Sequence, residues 1–264
     1  MNLDLSGKNA LVCGASGGIG LACAVELAEL GANVTLAARD ANRLAAAAAT
    51  LPARAAGQSH STLILDTSDS ARAGAAVATE MASGGIAYHI LINNTGGPPG
   101  GAMADATPAQ LVAAFESLLV SAHAITQAVL PGMKAAGYGR IINISSTSVK
   151  QPIAGLGLSN AVRAAVSNWG KSLSQEVARF GITVNSVLPG YTDTDRLAEL
   201  FKGKAARTGQ SIDAVKAEAI AAIPTGRLGA ASEIAAAVAF LASPAAAYVN
   251  GIQLPVDGGR LGCL

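Results

Sequence analysis

Asn9-Ala10-Leu11-Val12-Cys13, Gly14-Ala15-Ser16-Gly17-Gly18-Ile19-Gly20 and Leu21-Ala22-Cys23-Ala24-Val25-Glu26-Leu27-Ala28-Glu29-Leu30-Gly31 follow one another without a break. An apolar run meets a glycine-rich turn, and the turn opens a helical pattern. Leu21, Val25, Leu27 and Ala28 recur at helical spacing, and Gly31 supplies a left-handed stop before a second β-like run, Asn33 to Ala38. This is the pattern of a strand–helix–strand unit. Its turn lacks side chains at Gly14, Gly18 and Gly20, so backbone amides at the helix N-terminus can come close to a diphosphate, whose charge the helix dipole favours. The spacing is G-x-x-x-G-x-G where the general dinucleotide fingerprint is G-x-G-x-x-G, so a turn used only for tight packing is the competing reading.

Working outward, the alternation continues. Arg39-Asp40 leads into an alanine-rich helix ending near Pro52, Ser61 to Asp66 reads as a third strand, Asp69 to Ser83 as a helix closed by Gly84-Gly85, and His89 to Asn93 as a fourth strand. Asn94 to Gly101 breaks all periodicity. Thr107-Pro108-Ala109-Gln110 has the composition of a capping box, and the helix it opens runs towards Gly137 with a bend expected at Pro131. Gly139 to Ser145, Ser159 to Phe180, Ile182 to Leu188, Glu233 to Ser243 and Ile252 to Val256 complete the series as strand, helix, strand, helix and strand. Short β-branched runs between helices predict an α/β fold, a doubly wound parallel sheet of Rossmann type in one three-layer domain spanning residues 1–264. The polar segment from Pro189 to about Gln210 reads as irregular. Together with the residues up to about 222 it is the expected substrate lid.

Composition narrows the function classes. The net charge is +1 with 13% charged and 51% hydrophobic residues, which fits one large core and gives no reason to expect a nucleic-acid partner. No uninterrupted apolar run has the length of a bilayer span, and Met1 to Lys8 lacks an apolar leader, so a cytoplasmic protein without membrane contact is expected. Of three cysteines, Cys13, Cys23 and Cys263, the first two lie in the first strand and helix, where a free thiol behaves as a small buried hydrophobe, and no disulfide framework is suggested. His60, His89 and His123 are too scattered to indicate a metal site.

The ordered set Gly14 to Gly20, Asp66, Asn93-Asn94-Thr95-Gly96, Ser145-Ser146, Pro189 to Thr194 and Val256-Asp257-Gly258-Gly259 resembles the short-chain dehydrogenase/reductase family, with a pattern most like its 3-oxoacyl-(acyl-carrier-protein) reductases. The resemblance implies a nicotinamide cofactor. Gly14, Ser16, Gly17, Gly18, Ile19 and Gly20 would hold its diphosphate, Asp66 and Thr67 would face the adenine, Asn94 and Gly96 would flank the ribose, and Pro189, Gly190, Thr192 and Thr194 would meet the nicotinamide end. At the end of the second strand, Ala38-Arg39 offers a guanidinium suited to a 2′-phosphate where NAD-preferring sites carry a carboxylate, so NADP is favoured over NAD. The alternative is a solvated Arg39 paired with Asp40. The resemblance also implies a small-molecule substrate and a homotetramer built on the helices around 107–137 and 159–180.

The chemistry of the family uses Ser, then Tyr thirteen positions on, then Lys four further, with an Asn on the long central helix. Here Ser146 is present, but Ser159, Arg163 and Leu118 stand at the other three positions. An aliphatic hydroxyl is a far weaker acid than a phenol of pKa about 10. Arg163 keeps a positive charge and can bond a ribose. Tyr191 is a candidate substitute proton donor, with a pocket wall as its plainer role, and His123 is a weaker one. Three functions remain open: an NADP-dependent oxidoreductase acting on a carbonyl or alcohol, a cofactor-binding protein without turnover, and a lyase, isomerase or cyclase on the same fold.

Overall fold

The computed structural model describes residues 1–263. Seven strands form one sheet: β1 (Asn9–Cys13), β2 (Asn33–Ala38), β3 (His60–Ile64), β4 (Ile90–Asn93), β5 (Gly139–Ile144), β6 (Ile182–Pro189) and β7 (Gln253–Val256). Their order is β3-β2-β1-β4-β5-β6-β7 with every neighbouring pair parallel. The helices are α1 (Gly18–Glu29), α2 (Ala41–Ala48), α3 (Ser70–Gly84), α4 (Pro108–Phe115), α5 (Ser121–Ala136), α6 (Gly157–Val177), α7 (Asp195–Thr208), α8 (Ile212–Ala221) and α9 (Ala231–Ala242).

The central strands β1, β4, β5 and β6 are buried almost throughout because both faces of the sheet are covered. Side chains alternate across a strand. In β1, Ala10 and Val12 face a cluster that includes Cys23 and Leu27 of α1, Leu44 of α2 and Val238 of α9, whereas Leu11 and Cys13 face Val77 of α3, Ile125 of α5 and Leu173 of α6. Three layers result. Cys13 and Cys23 are fully buried, and loss of water pushes each thiol up to about 12. Cys263 is exposed. Titration of the native protein with a thiol reagent at pH 8 is therefore expected to modify one cysteine per chain, with the other two reacting only after denaturant is added; rapid reaction of all three in the native state would contradict this packing.

The helix opened by Thr107 carries a complete capping box with Gln110 and ends at Gly137 with φ 59°, and it is interrupted at Glu116–Val120 by a π-helical turn that the sequence pattern does not show. Pro131 lies within α5. Near that turn Ser121 Oγ donates to the Ser117 carbonyl at 2.6 Å, and Glu116 Oε1 accepts the Ser70 amide at the start of α3 at 3.0 Å. The whole run Pro108–Ala136, 29 residues with mean hydropathy 1.3 in its most apolar window, is long and apolar enough to cross a bilayer by length and composition, contrary to the sequence expectation. Here Ile125, Val129, Leu130 and Met133 pack against the sheet, Ala114 and Leu118 meet Val162 and Val166 of α6, and Val112 and Val120 are exposed.

The segment after β6 is helical, not irregular. Leu197, Phe201 and Ala205 recur every fourth residue along α7 and meet Val215 and Ala219 of α8 in a small core of their own, flanked by Tyr191 and Leu228. Thr194 Oγ1 accepts the Leu197 amide at 3.4 Å, Ser211 Oγ accepts the Ala214 amide at 3.1 Å, and Gly209 turns the chain between them with φ 72°. The apolar stripe is narrow, and the polar residues around it obscured its period.

Candidate functional site

The sheet reverses its winding between β1 and β4, and at this switch point the strand C-termini open into a cleft of about 920 Å³. Its floor is the turn between β1 and α1. Gly14 and Gly18 adopt φ 62° and 56°, and a Cβ on Gly20 would lie 2.2 Å from the Gly14 carbonyl oxygen. Gly20 thus closes the turn from behind and does not line the cleft. Asn94 Nδ2 donates to the carbonyls of Cys13 and Gly14 at 3.3 and 3.4 Å, fixing the turn to the end of β4. The N-terminus of α1 has no side-chain cap and no acidic residue in its first turn, so its amides are left for an anionic ligand. Ser16, Gly17, Ile19 and Gly96 line the same space, and Pro189, Gly190, Thr192 and Thr194 close it from the β6 side. These features fit a dinucleotide cradle.

At the end of β2, Arg39 reaches the cleft. Asp40 also lines the cleft; its Oδ1 accepts the amides of Asn42 and Arg43 at 3.0 Å each as the cap of α2, and among the described residues it forms no ion pair with Arg39. A second cation joins Arg39: Arg43 lines the cleft, its Nη2 3.2 Å from where a Cβ on Gly17 would stand. The sequence reading passed over Arg43, whose position in the first turn of α2 was the available signal. Thr67 lines the cleft; Asp66 does not. Asp66 Oδ1 accepts the Ser68 amide at 2.9 Å, which holds the carboxyl below its ordinary range, with the charge of Arg39 a smaller influence.

At the other end of the cleft, Ser146, Ser159 and Arg163 lie together. Ser146 Oγ accepts the Ser148 amide at 3.1 Å, which leaves its own proton free to donate. Ser159 Oγ accepts from Arg163 Nε at 3.1 Å and is likewise free to donate outward. Arg163 Nη1 donates to the carbonyls of Ile144 and Ser145, both at 3.0 Å, so the guanidinium ties α6 to the end of β5. Burial, and then the charge of Arg196, pull Arg163 down to about 10, and it remains cationic at neutral pH. Leu118 sits buried in the π-helical turn beside a small pocket that also touches Arg163.

Tyr191 is placed elsewhere. Its ring lies under the Arg260 guanidinium at 4.6 Å and against Phe201 at 6.2 Å, in the core of the α7–α8 segment, and it does not line the cleft. The packing role is the one its surroundings support. His123 is exposed on α5, edge-on to Trp169 at 6.1 Å, and does not line the cleft either.

Comparison with known proteins gives a consistent result. Residues 14–260 match the profile of a family described as Enoyl-(Acyl carrier protein) reductase. The chain is 38% identical over 258 residues to the 3-oxoacyl-(acyl-carrier-protein) reductase of Pseudomonas aeruginosa, covering 97% of this chain and 98% of that one. Among solved structures it resembles L-sorbose reductase from Gluconobacter frateurii, complexed with NADPH and L-sorbose, at 29% identity with a TM-score of 0.91 and full coverage of both chains. It also resembles a 3-oxoacyl (acyl-carrier-protein) reductase from Agrobacterium tumefaciens with NADP bound, at 30% identity and TM-score 0.85 over 97% of this chain and 95% of that one.

Proposed function

The chain belongs to the short-chain dehydrogenase/reductase family, and from that premise we propose that it is an NADP(H)-dependent oxidoreductase interconverting a carbonyl and an alcohol. The observation that carries the reading is the pair of hydroxyls at the nicotinamide end, Ser146 and Ser159, each accepting a hydrogen bond from an N–H group and so presenting a proton to the cleft. Bound nicotinamide supplies hydride to a carbonyl carbon or removes it from an alcohol. Negative charge then develops on the substrate oxygen during reduction, and two aimed O–H donors backed by the Arg163 charge stabilise it. Neither serine is a competent acid, so the proton itself enters from water, and chemistry is slower than with a phenol in place.

NADP is favoured over NAD because Arg39 at the end of β2 and Arg43 in the first turn of α2 bring two guanidinium groups to one wall of the cleft, and because related structures hold NADP(H). Arg39→Ala and Arg43→Ala are each expected to weaken NADPH binding about ten-fold, within the range for one charge-assisted contact, while leaving NADH binding within about two-fold. Fluorescence titration with both nucleotides reads this directly, and parallel losses for both would overturn the assignment. Substrate-dependent oxidation of NADPH tests the reaction. Tight NADPH binding with no turnover on any carbonyl compound would make the chain a cofactor-binding subunit instead.

A further inference from the structure

Two cations converge on Gly97 from opposite walls of the cleft. The point where a Cβ on Gly97 would stand is 3.3 Å from Arg163 Nη2 and 3.5 Å from Arg196 Nη2, and 3.9 Å from Ser159 Oγ. Arg163 comes from α6 and Arg196 from the first turn of α7. Their protein partners are almost all neutral. Arg163 uses Nε and Nη1 on a hydroxyl and two carbonyls, and its Nη2 has no hydrogen-bond acceptor among the described residues. Arg196 donates from Nη2 to the Pro98 carbonyl at 2.7 Å, and its only carboxylate is Glu199, 3.6 Å away with a side chain 68% exposed. Asp195 and Glu199 also line the cleft, yet neither forms an ion pair with Arg163.

Among the described residues Arg163, half-buried, has no carboxylate partner and Arg196, its side chain 41% exposed, has only the solvated Glu199, so an anion placed between the two guanidinium groups gains charge-assisted hydrogen bonds from both. We propose that the substrate carries a carboxylate that lies between Arg163 and Arg196 over Gly97, so that the ligand is a small oxo acid or hydroxy acid. Gly97 leaves the room for it, since any side chain there would fill the space between the two guanidinium groups. The carbonyl half of this ligand rests on the oxidoreductase reading; the carboxylate half rests on the two arginines alone. One other source of the same chemistry exists, a phosphate of the cofactor, and the test separates it.

The experiment is calorimetric titration of the protein, alone and saturated with NADPH, with 2-oxobutanoate, 3-oxobutanoate and 4-oxopentanoate, each beside its methyl ester. At least one acid is expected to bind ten-fold or more tightly than its ester. Arg196→Gln should abolish that preference, Arg196→Lys should retain part of it, and the NADPH dissociation constant should move less than two-fold in either variant. Equal affinity for acid and ester in all three pairs overturns the proposal. A loss of NADPH affinity in Arg196→Gln as large as the loss for the acid overturns it also and assigns Arg196 to a cofactor phosphate. An acid preference in protein that binds no NADPH would uphold the carboxylate site while removing the oxidoreductase reading.

Discussion

Ser159→Tyr combined with Arg163→Lys is expected to raise kcat/KM for carbonyl reduction by about 10²- to 10⁴-fold, the usual contribution of a general acid. The two positions already face each other one helical turn apart, with Arg163 Nε on Ser159 Oγ at 3.1 Å, so a phenol and an ammonium would be brought together by the same stretch of α6. Ser159 lines the cleft, which gives a ring room to enter. The phenol brings a proton of pKa about 10, lowered further by a neighbouring ammonium, where the hydroxyl it replaces has none to give near neutral pH. Arg163→Lys surrenders the bonds to Ile144 and Ser145, so the single Ser159→Tyr variant is the companion measurement. Steady-state NADPH oxidation reads both. A double variant that binds NADPH as the parent does and turns over no faster would show that proton supply does not limit the reaction.

The second large effect is expected at Gly20. A methyl group there would stand 2.2 Å from the Gly14 carbonyl oxygen, which is backbone and cannot swing aside, and 2.8 Å from Asn94 Nδ2, a side-chain end held by its bonds to the Cys13 and Gly14 carbonyls. Gly20→Ala must push the turn between β1 and α1 open. We expect a loss of about 2 to 3 kcal/mol in stability, as for overpacking elsewhere, and a fall of about 100-fold or more in NADPH affinity because the amides of α1 are displaced. Gly101→Ala is the control, since a Cβ there meets nothing within 4 Å. Urea denaturation and fluorescence titration distinguish the outcomes: an unfolding midpoint unchanged in Gly20→Ala would mean that the turn has slack it does not show.

Much of this arrangement is legible in the chain because it is written locally. The turn at Gly14 to Gly20 announces itself by glycines beside an apolar run, the parallel sheet covered on both faces follows from the alternation of strands and helices, and the Thr107–Gln110 box needs only four residues. The placements that escaped are those decided by distant partners. Glu116, the first residue of the π-turn, meets the Ser70 amide 46 residues earlier, a contact no local pattern announces. Tyr191 follows Pro189-Gly190 as a pocket residue would, yet Phe201 and Arg260 draw its ring away from the cleft. Arg43 and Arg196 look like ordinary helix-surface charges until the fold turns their helices towards the same cavity. Their function is a property of the assembled walls, and no window of sequence contains both.

The bond from Asn94 to the Cys13 carbonyl joins residues 81 apart in the chain. A nascent polypeptide emerging from the ribosome therefore carries its glycine turn long before it can use it. β1 meets β2 early, but its other neighbour, β4, arrives only after two further crossovers have been synthesised, and Pro189 to Thr194 come later still. Such long-range closures are slow steps in folding. A dinucleotide bridging Gly14 and Thr194 would recognise only the finished winding, so cellular supply of the nucleotide would act as a late checkpoint, drawing fully wound chains away from proteases by mass action.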